Sequence, residues 1–408
     1  MPTVNVWPSR ALGCQHGLRA QLLLVAWAAV SLACNTLSGG PVGTPVPTLP
    51  APVRWRAPAG SSVITPPALA DGLLVYVTEQ DQVVALDAAN GQQKWNHALG
   101  LVNLGDRPLA VANGVVLVAS ATVTELGKSR TSALGLDLHT GQQVWAQLLS
   151  SAADALFFYQ PQANDGVAYF ESETGPGGRQ LTAADAATGQ IKWQAPFTGT
   201  ALAGDPAFEG SRVFVPIDHA AAAGSDRFTT DIVALDTATG ARLWAAELGG
   251  AAAEVLAAGG GRVYANTKDG TAWALDGATG KIDWKFQFND DAPSPPLLAG
   301  DTLYLGDGQG RFYALEAASG TQRWLTQLGR GVERRPAVGG GRIYMGSDDG
   351  NLNALDAATG AVVWKIQNEL EHPFAASAYT PPQNTEPVVA NGTLFYFNVH
   401  DIIALQVP

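Results

Sequence analysis

One eleven-residue phrase, A-L-D-x-x-T-G-x-x-x-W, is written seven times along the chain, at residues 85–95, 135–145, 183–193, 234–244, 274–284, 314–324 and 354–364. A truncated eighth copy, Ala404-Leu405-Gln406, stops before its glycine and tryptophan. A repeat of roughly 40–50 residues is a supersecondary unit that buries its apolar faces only against its neighbours. It excludes a conventional single core, and its strand-like content points to a propeller.

Upstream of each phrase lies a second apolar run, at 73–78, 115–120, 167–172, 213–218, 263–267, 303–307, 343–347 and 394–398. Most alternate apolar with small or polar residues and follow a glycine turn such as Asn113-Gly114 or Asn391-Gly392, which is hairpin patterning. Pro67, Pro108, Pro206, Pro296, Pro336 and Pro387 stand near the start of the strand before, where a missing N–H is tolerated. Each repeat therefore supplies four short antiparallel strands, A to D.

The phrase spans C and D. Its Asp and Thr side chains can bond turn amides, and its Gly supplies a left-handed backbone position. The tryptophans, Trp95, Trp145, Trp193, Trp244, Trp284, Trp324 and Trp364, fall on the outer strand D, where a large ring can lie against the next blade. The departures are mild: Asn90 and Ser319 for Thr, Glu316 for Asp, Ala184 for Leu. The last repeat lacks a strand D, and Val53-Arg54-Trp55 reads as an isolated one, tryptophan included. The expectation is an all-β, eight-bladed propeller of four-stranded antiparallel blades over 53–408, closed by the N-terminal strand into a ring without free edges.

Ahead of the repeats, Arg10 and Arg19 precede an apolar run that ends Val30-Ser31-Leu32-Ala33-Cys34. A basic start, a short apolar stretch and a small residue before a cut describe a secretory signal over 1–33, too short for a membrane span. The cysteine after Ala33 makes it resemble a bacterial lipoprotein signal, which implies lipidation of Cys34. Ser31 stands where that pattern usually has leucine, and an ordinary signal peptide with an incidental cysteine is the alternative. Residues 34–52 are rich in Gly, Pro, Thr and Ser without apolar periodicity and read as a tether.

The formal charge is −12, and removal of 1–33 takes away arginines and no acid. An acidic chain without a basic run excludes nucleic acid as a partner. The two cysteines, Cys14 and Cys34, lie outside the repeats, so neither a disulfide framework nor a thiolate metal site holds the fold.

The phrase resembles the tryptophan-docking motif of pyrroloquinoline-quinone (PQQ)-type propeller repeats, over essentially residues 53–408. Families sharing that motif include quinoprotein alcohol dehydrogenases, BamB-type lipoproteins of outer-membrane β-barrel assembly, and sensor domains. The resemblance to the dehydrogenases is weakened by this chain's shorter length, by the absence of an adjacent cysteine pair and by the absence of a C-x-x-C-H haem motif. The BamB-type plan of signal, lipid cysteine, linker and one propeller is closer, and implies a scaffold that binds partners and performs no chemistry.

Repeats 2, 3, 4 and 8 exceed the tight spacing of about 40 residues. The excess falls at 121–131, 173–179 and 219–229, read as B–C loops, and at 367–384, read as a D–A loop. Strand parity puts all four on one ring face, which marks it as the candidate binding face, with drift in unconstrained loops as the competing reading. Its candidate residues are Glu173, Asp218, His219, Asp226, Glu369, Glu371, His372, His400 and Asp401. Carboxylates and histidines over a central channel can bind a cation, but no ligand spacing is recognisable and no metal is expected. Asp269-Gly270 and Asp348-Asp349-Gly350 read as turns, and the strand C column Val84, Trp273, Tyr313 and Ile403 as packing between blades.

The expected function is that of a non-catalytic, lipid-anchored extracytoplasmic scaffold with a monomeric propeller and no cofactor. It would bind protein partners of the cell envelope and touch the membrane through its lipid alone. The alternatives are a PQQ- and Ca2+-dependent quinoprotein dehydrogenase or a degenerate relative, and a ligand-sensing or polysaccharide-binding propeller.

Overall fold

The computed structural model describes residues 52–408 apart from 62, 64–66, 100–108, 124–128, 151–160, 176–177, 199–200, 203, 221–227, 250–255, 289–293, 330, 333–334, 348, 368–385 and 398–400. The signal expected at 1–33, Cys34, and the tether up to 51 lie outside the described residues. All described residues belong to the compact unit Val46–Pro408.

Eight antiparallel sheets form the blades of a β-propeller, each in the order A-B-C-D. Blade 1 is Ala68–Ala70, Leu73–Val77, Gln82–Asp87 and Gln93–Ala98. Blade 2 is Leu109–Ala112, Val115–Val123, Ser129–Asp137 and Gln143–Ser150. Blade 3 is Gln162–Asn164, Val167–Gly175, Gly178–Asp185 and Ile191–Thr198. Blade 4 is Ala207–Glu209, Arg212–Ala220, Phe228–Asp236 and Arg242–Leu248. Blade 5 is Leu256–Gly259, Arg262–Thr267, Thr271–Asp276 and Ile282–Gln287. Blade 6 is Leu297–Ala299, Thr302–Gly306, Arg311–Glu316 and Gln322–Gln327. Blade 7 is Ala337–Gly339, Arg342–Gly346, Asn351–Asp356 and Val362–Gln367. Blade 8 joins Val388–Ala390, Thr393–Phe397 and Asp401–Gln406 to Val53–Pro58 from the other end of the chain, with Trp55 opposite Ala404 and Arg56 opposite Ile403. The six prolines named above each precede a strand A directly.

The burial pattern follows position in the blade. Strand B is buried throughout in Leu73–Val77 and Thr393–Phe397, because both its faces meet neighbouring blades. Strand D is the outermost, and in Gln93–Ala98 only Trp95 is buried. Apolar packing is accordingly divided among seams. Leu73, Val75 and Trp95 of blade 1 cluster with Leu109, Val116 and Val118 of blade 2. Trp55, Phe395 and Phe397 of blade 8 cluster with Leu74, Tyr76 and Leu86 of blade 1, which closes the ring. The strand C column Val84, Trp273, Tyr313 and Ile403 is buried in such seams.

Each seam is locked by a tryptophan. The indole N–H groups of Trp55, Trp95, Trp145 and Trp193 donate to the carbonyls of Ala88, Leu138, Ala186 and Thr237, at 3.0, 2.8, 3.1 and 2.9 Å. Trp244, Trp284 and Trp324 do the same to Gly277, Ala317 and Ala357, at 3.1, 3.0 and 3.1 Å. Every acceptor follows the phrase Asp or Glu of the next blade. Trp364 packs against Leu405 and Val407 of blade 8. The Tyr264 and Tyr304 hydroxyls donate to the same carbonyls as Trp284 and Trp324, at 3.1 and 3.2 Å, so two donors from one blade share one acceptor on the next.

The turn that receives the ring is built locally. In blade 5, Asp276 Oδ1 accepts from Ala278 N at 3.1 Å, Thr279 N at 2.8 Å and Thr279 Oγ1 at 2.7 Å. Gly280 N donates to Asp276 O at 2.8 Å, with Gly280 at φ +74° under the Trp244 ring. These bonds favour the ionised carboxylate. Donation from the Thr side chain, and for Asp87 from Lys94, holds Asp87, Asp137, Asp185, Asp236, Asp276 and Asp356 below the usual Asp value. A carboxylate depressed in the fold adds stability above its unfolded pKa of about 3.9, and loses it as pH falls through the folded value. The melting temperature is therefore expected to fall on acidification below about pH 4, with a shallower slope in Thr279→Val, as a calorimetric pH series will read.

Residues 121–131 and 173–179, expected as B–C loops, are mainly strand, and 219–229 begins and ends in strand, with 221–227 outside the described residues. Ala121 pairs with Thr131, Thr122 with Arg130 and Val123 with Ser129 in blade 2. Glu173 pairs with Arg179 in blade 3, and His219 with Thr229 and Ala220 with Phe228 in blade 4. The added residues extend the ladder, because continuing the B–C hairpin satisfies their backbone groups where an irregular loop would not.

Candidate binding face

The A–B and C–D turns leave the ring on one face, and the B–C and D–A connections on the other. On that second face, blades 1, 5, 6 and 7 end in tight turns. Asp81 N donates to Thr78 O at 3.0 Å, Gly270 N to Thr267 O at 3.0 Å, Gly310 N to Asp307 O at 3.1 Å and Gly350 N to Ser347 O at 2.9 Å. Side chains pin these turns: Arg311 Nε donates to Asp307 Oδ2 at 2.7 Å, and Asp269 and Asp349 accept from Thr267 and Ser347. The Asp269-Gly270 and Asp349-Gly350 pairs are thus turn residues.

Blades 2, 3 and 4 instead raise longer hairpins, and polar residues enter their strands where the tight blades have already turned. Glu171 and Arg179, diagonal partners across blade 3, are both buried and sit 3.5 Å apart. Gln180 Nε2 donates to Ser172 Oγ at 3.1 Å and to Leu149 O of blade 2 at 3.3 Å, tying the two hairpins together. In blade 4 the buried Asp218 accepts from Thr230 Oγ1 at 2.6 Å, and His219 Nε2 lies 3.2 Å from Asp231 Oδ2. That contact becomes an ion pair when the imidazole is protonated. Ala201–Leu202 adds a fifth strand here, with Ala201 opposite Asp218.

Of the residues singled out from sequence, Asp218 and His219 thus lie in strand B of blade 4 rather than in a loop. Asp401 opens strand C of blade 8, opposite Pro58 of the strand that closes the ring and 3.4 Å from Arg56. Glu173 lies in strand B of blade 3. Asp226, Glu369, Glu371, His372 and His400 lie outside the described residues. Glu171, Arg179, Thr230 and Asp231 escaped the sequence reading. Their signal was available: the polar runs Glu171-Ser172-Glu173-Thr174 and Thr229-Thr230-Asp231 continue strand runs that are longer than the tight repeats allow.

The described polar groups are engaged with each other across hairpins. His219 and Asp231 make a two-membered pair. Among the described residues, no three His, Cys, Asp or Glu side chains are grouped to hold a metal ion. No helix among the described residues is long and apolar enough to cross a membrane.

A family model described as "Outer membrane protein assembly factor BamB" matches residues 50–155, 177–297 and 290–401. A relative bearing that same description, from Burkholderia pseudomallei, is 27% identical over 202 residues. The match covers 47% of this chain and 46% of that relative, so about half of each is aligned. The crystal structure of BamB from Moraxella catarrhalis superposes with a TM-score of 0.53 at 19% identity, covering 79% of this chain and 87% of that one. The quinohemoprotein alcohol dehydrogenase of Comamonas testosteroni superposes with a TM-score of 0.62 at 14% identity, covering 87% of this chain and 76% of that one. At those identities the two structures share a fold with this chain, and fold does not carry activity.

Proposed function

Because the chain belongs to the family of the outer membrane protein assembly factor BamB, we propose that it is a non-catalytic scaffold on the periplasmic side of an outer membrane, where it binds protein partners in β-barrel assembly. The observation that carries the reading is the family match along nearly the whole propeller. The candidate face supports it: raised hairpins whose polar side chains are paired offer a shaped surface rather than reacting groups. Lipidation of Cys34 would anchor the protein, and residues 34–52 would hold the ring off the bilayer.

Two measurements test this. Photo-crosslinking from position 122 at the raised hairpin of blade 2, in the native envelope, is expected to capture a component of the barrel-assembly machinery. Capture of none, by a protein shown to be folded and exported, would remove the assembly role. Cys34→Ser is expected to move the protein from the membrane fraction to the soluble envelope fraction, and unchanged fractionation would remove the anchor. Saturable calorimetric binding of PQQ with Ca2+ would instead favour the dehydrogenase-like alternative.

A further inference from the structure

Each blade ends in a strand D whose outer edge no described strand pairs. Along such an edge every second residue turns its N–H and C=O away from the sheet, a template for another strand. Natural sheets blunt such edges with charge or proline. Seven of the eight outer strands here do so: Lys94, Lys192, Arg242, Asp283, Arg323, Lys365 and Arg54 lie within them, and Pro196 and Pro58 add a further block in blades 3 and 8.

The outer strand of blade 2, Gln143–Ser150, is the exception. Its sequence, QVWAQLLS, holds no charge and no proline. Trp145 and Leu149 turn into the seam with blade 3. Val144, Ala146 and Leu148 turn outward, with Val144 51% and Leu148 48% exposed. In blade 4 the matching positions are Leu243, Ala245 and Glu247, so a carboxylate stands where blade 2 has leucine. In blade 6 they are Arg323, Leu325 and Gln327. Among the described residues, only the outer strand of blade 2 combines an unpaired edge, alternating exposed apolar side chains and absence of charge.

We infer that the outer strand of blade 2 is a strand-addition site, which takes an extended, uncharged segment of a partner polypeptide with apolar side chains at alternate positions. The open backbone edge specifies a strand. The lack of charge specifies an uncharged one, and the 144/146/148 alternation specifies its apolar period. A second copy of this chain fits less well. Two rigid rings meeting along one strand bury far less than the ~1,200 Å² of a stable interface. An extended segment instead gains main-chain hydrogen bonds along the whole edge. The inference rests on the scaffold reading for the presence of such a partner, but the edge itself is a property of the fold.

The test uses the full-length protein and a fluorescent octapeptide of alternating valine and threonine, followed by polarisation. The wild type is expected to bind saturably, and the same peptide with alternate amides N-methylated is expected not to bind. Val144→Lys and Leu148→Lys should each weaken binding about tenfold or more by charging the edge. Leu325→Lys, at an equally exposed leucine on the outer strand of blade 6, should leave it unchanged. All three positions are on the surface, and unchanged melting temperatures would show that the variants fold. Absence of saturable binding, binding indifferent to V144K and L148K, or equal loss in L325K overturns the proposal. Sedimentation showing a dimer that V144K dissociates would assign the edge to a second copy and overturn it too. If crosslinking to the assembly machinery fails while the peptide still binds, the scaffold role falls and the strand-addition site stands.

Discussion

A chain that lacks residues 50–58 is expected to melt at least about 10 °C below the intact protein, or to lose its cooperative transition altogether. Val53–Pro58 is the fourth strand of blade 8 and the only strand of its sheet drawn from the start of the propeller. It brings Trp55 into the seam with blade 1, where the indole donates to Ala88 O and lies under Gly91. Removing it opens the ring at that seam and exposes Asp401–Gln406 as a new apolar edge, so aggregation should accompany the loss. The point variant Trp55→Ala isolates the ring itself. Truncating a buried tryptophan costs roughly 3–5 kcal/mol. With an unfolding entropy of about 2.1 cal/mol/K per residue, a propeller of this size should melt roughly 5 °C lower. Calorimetry on both variants reads the effect, and an unchanged melt in the deletion would show that the ring holds without its closing strand.

Gly320→Ala is the second large effect, and Gly300→Ala in the same blade is its control. Both glycines have left-handed backbones, at φ +72° and +61°. A Cβ at Gly300 meets nothing within 4 Å, so that variant suffers only backbone strain of about 1–2 kcal/mol. A Cβ at Gly320 would lie 2.7 Å from Cε3 of Trp284, the ring reaching over from blade 5. The ring must then shift, straining its bond to Ala317 O, and overpacking of this kind adds roughly 1–3 kcal/mol. Urea unfolding should therefore rank Gly320→Ala well below Gly300→Ala. Equal losses would mean that the phrase glycine serves the turn alone and not the seam.

That pair also separates what a sequence shows from what it hides. The turn chemistry is local. An Asp, a Thr and a Gly within five positions satisfy one another, and their spacing is visible in the letters. The seam partner of each tryptophan lies some 33 to 44 residues away, but the repeat makes it legible, because every blade faces a copy of itself. Gly135 is the counterexample. Seven of the eight copies carry Ala at that place, and the sequence offers no reason for the glycine. In the fold a Cβ there would run into the ring of its cross-strand partner Trp145. The candidate face was legible as a face, since strand parity alone puts the long connections together. Its content was not. The insertions of blades 2 and 3, read as loops, proved to be mainly ladder, and the Glu171–Arg179 and Asp218–Thr230 pairs arise from registers that periodicity cannot assign.

The repeat by itself determined the blade, the number of blades, the ring closure and the belonging to a known propeller family. These follow from short-range hydrogen bonding repeated at a fixed period, and a period survives translation into space. Only the tertiary structure decided which insertions stand up as hairpins, which polar residues meet across them, and which side chains of the outer strands turn to solvent. Those outcomes depend on strand register and on which side chain faces a neighbouring blade. A shift of one residue reverses both, and nothing in the local sequence records it.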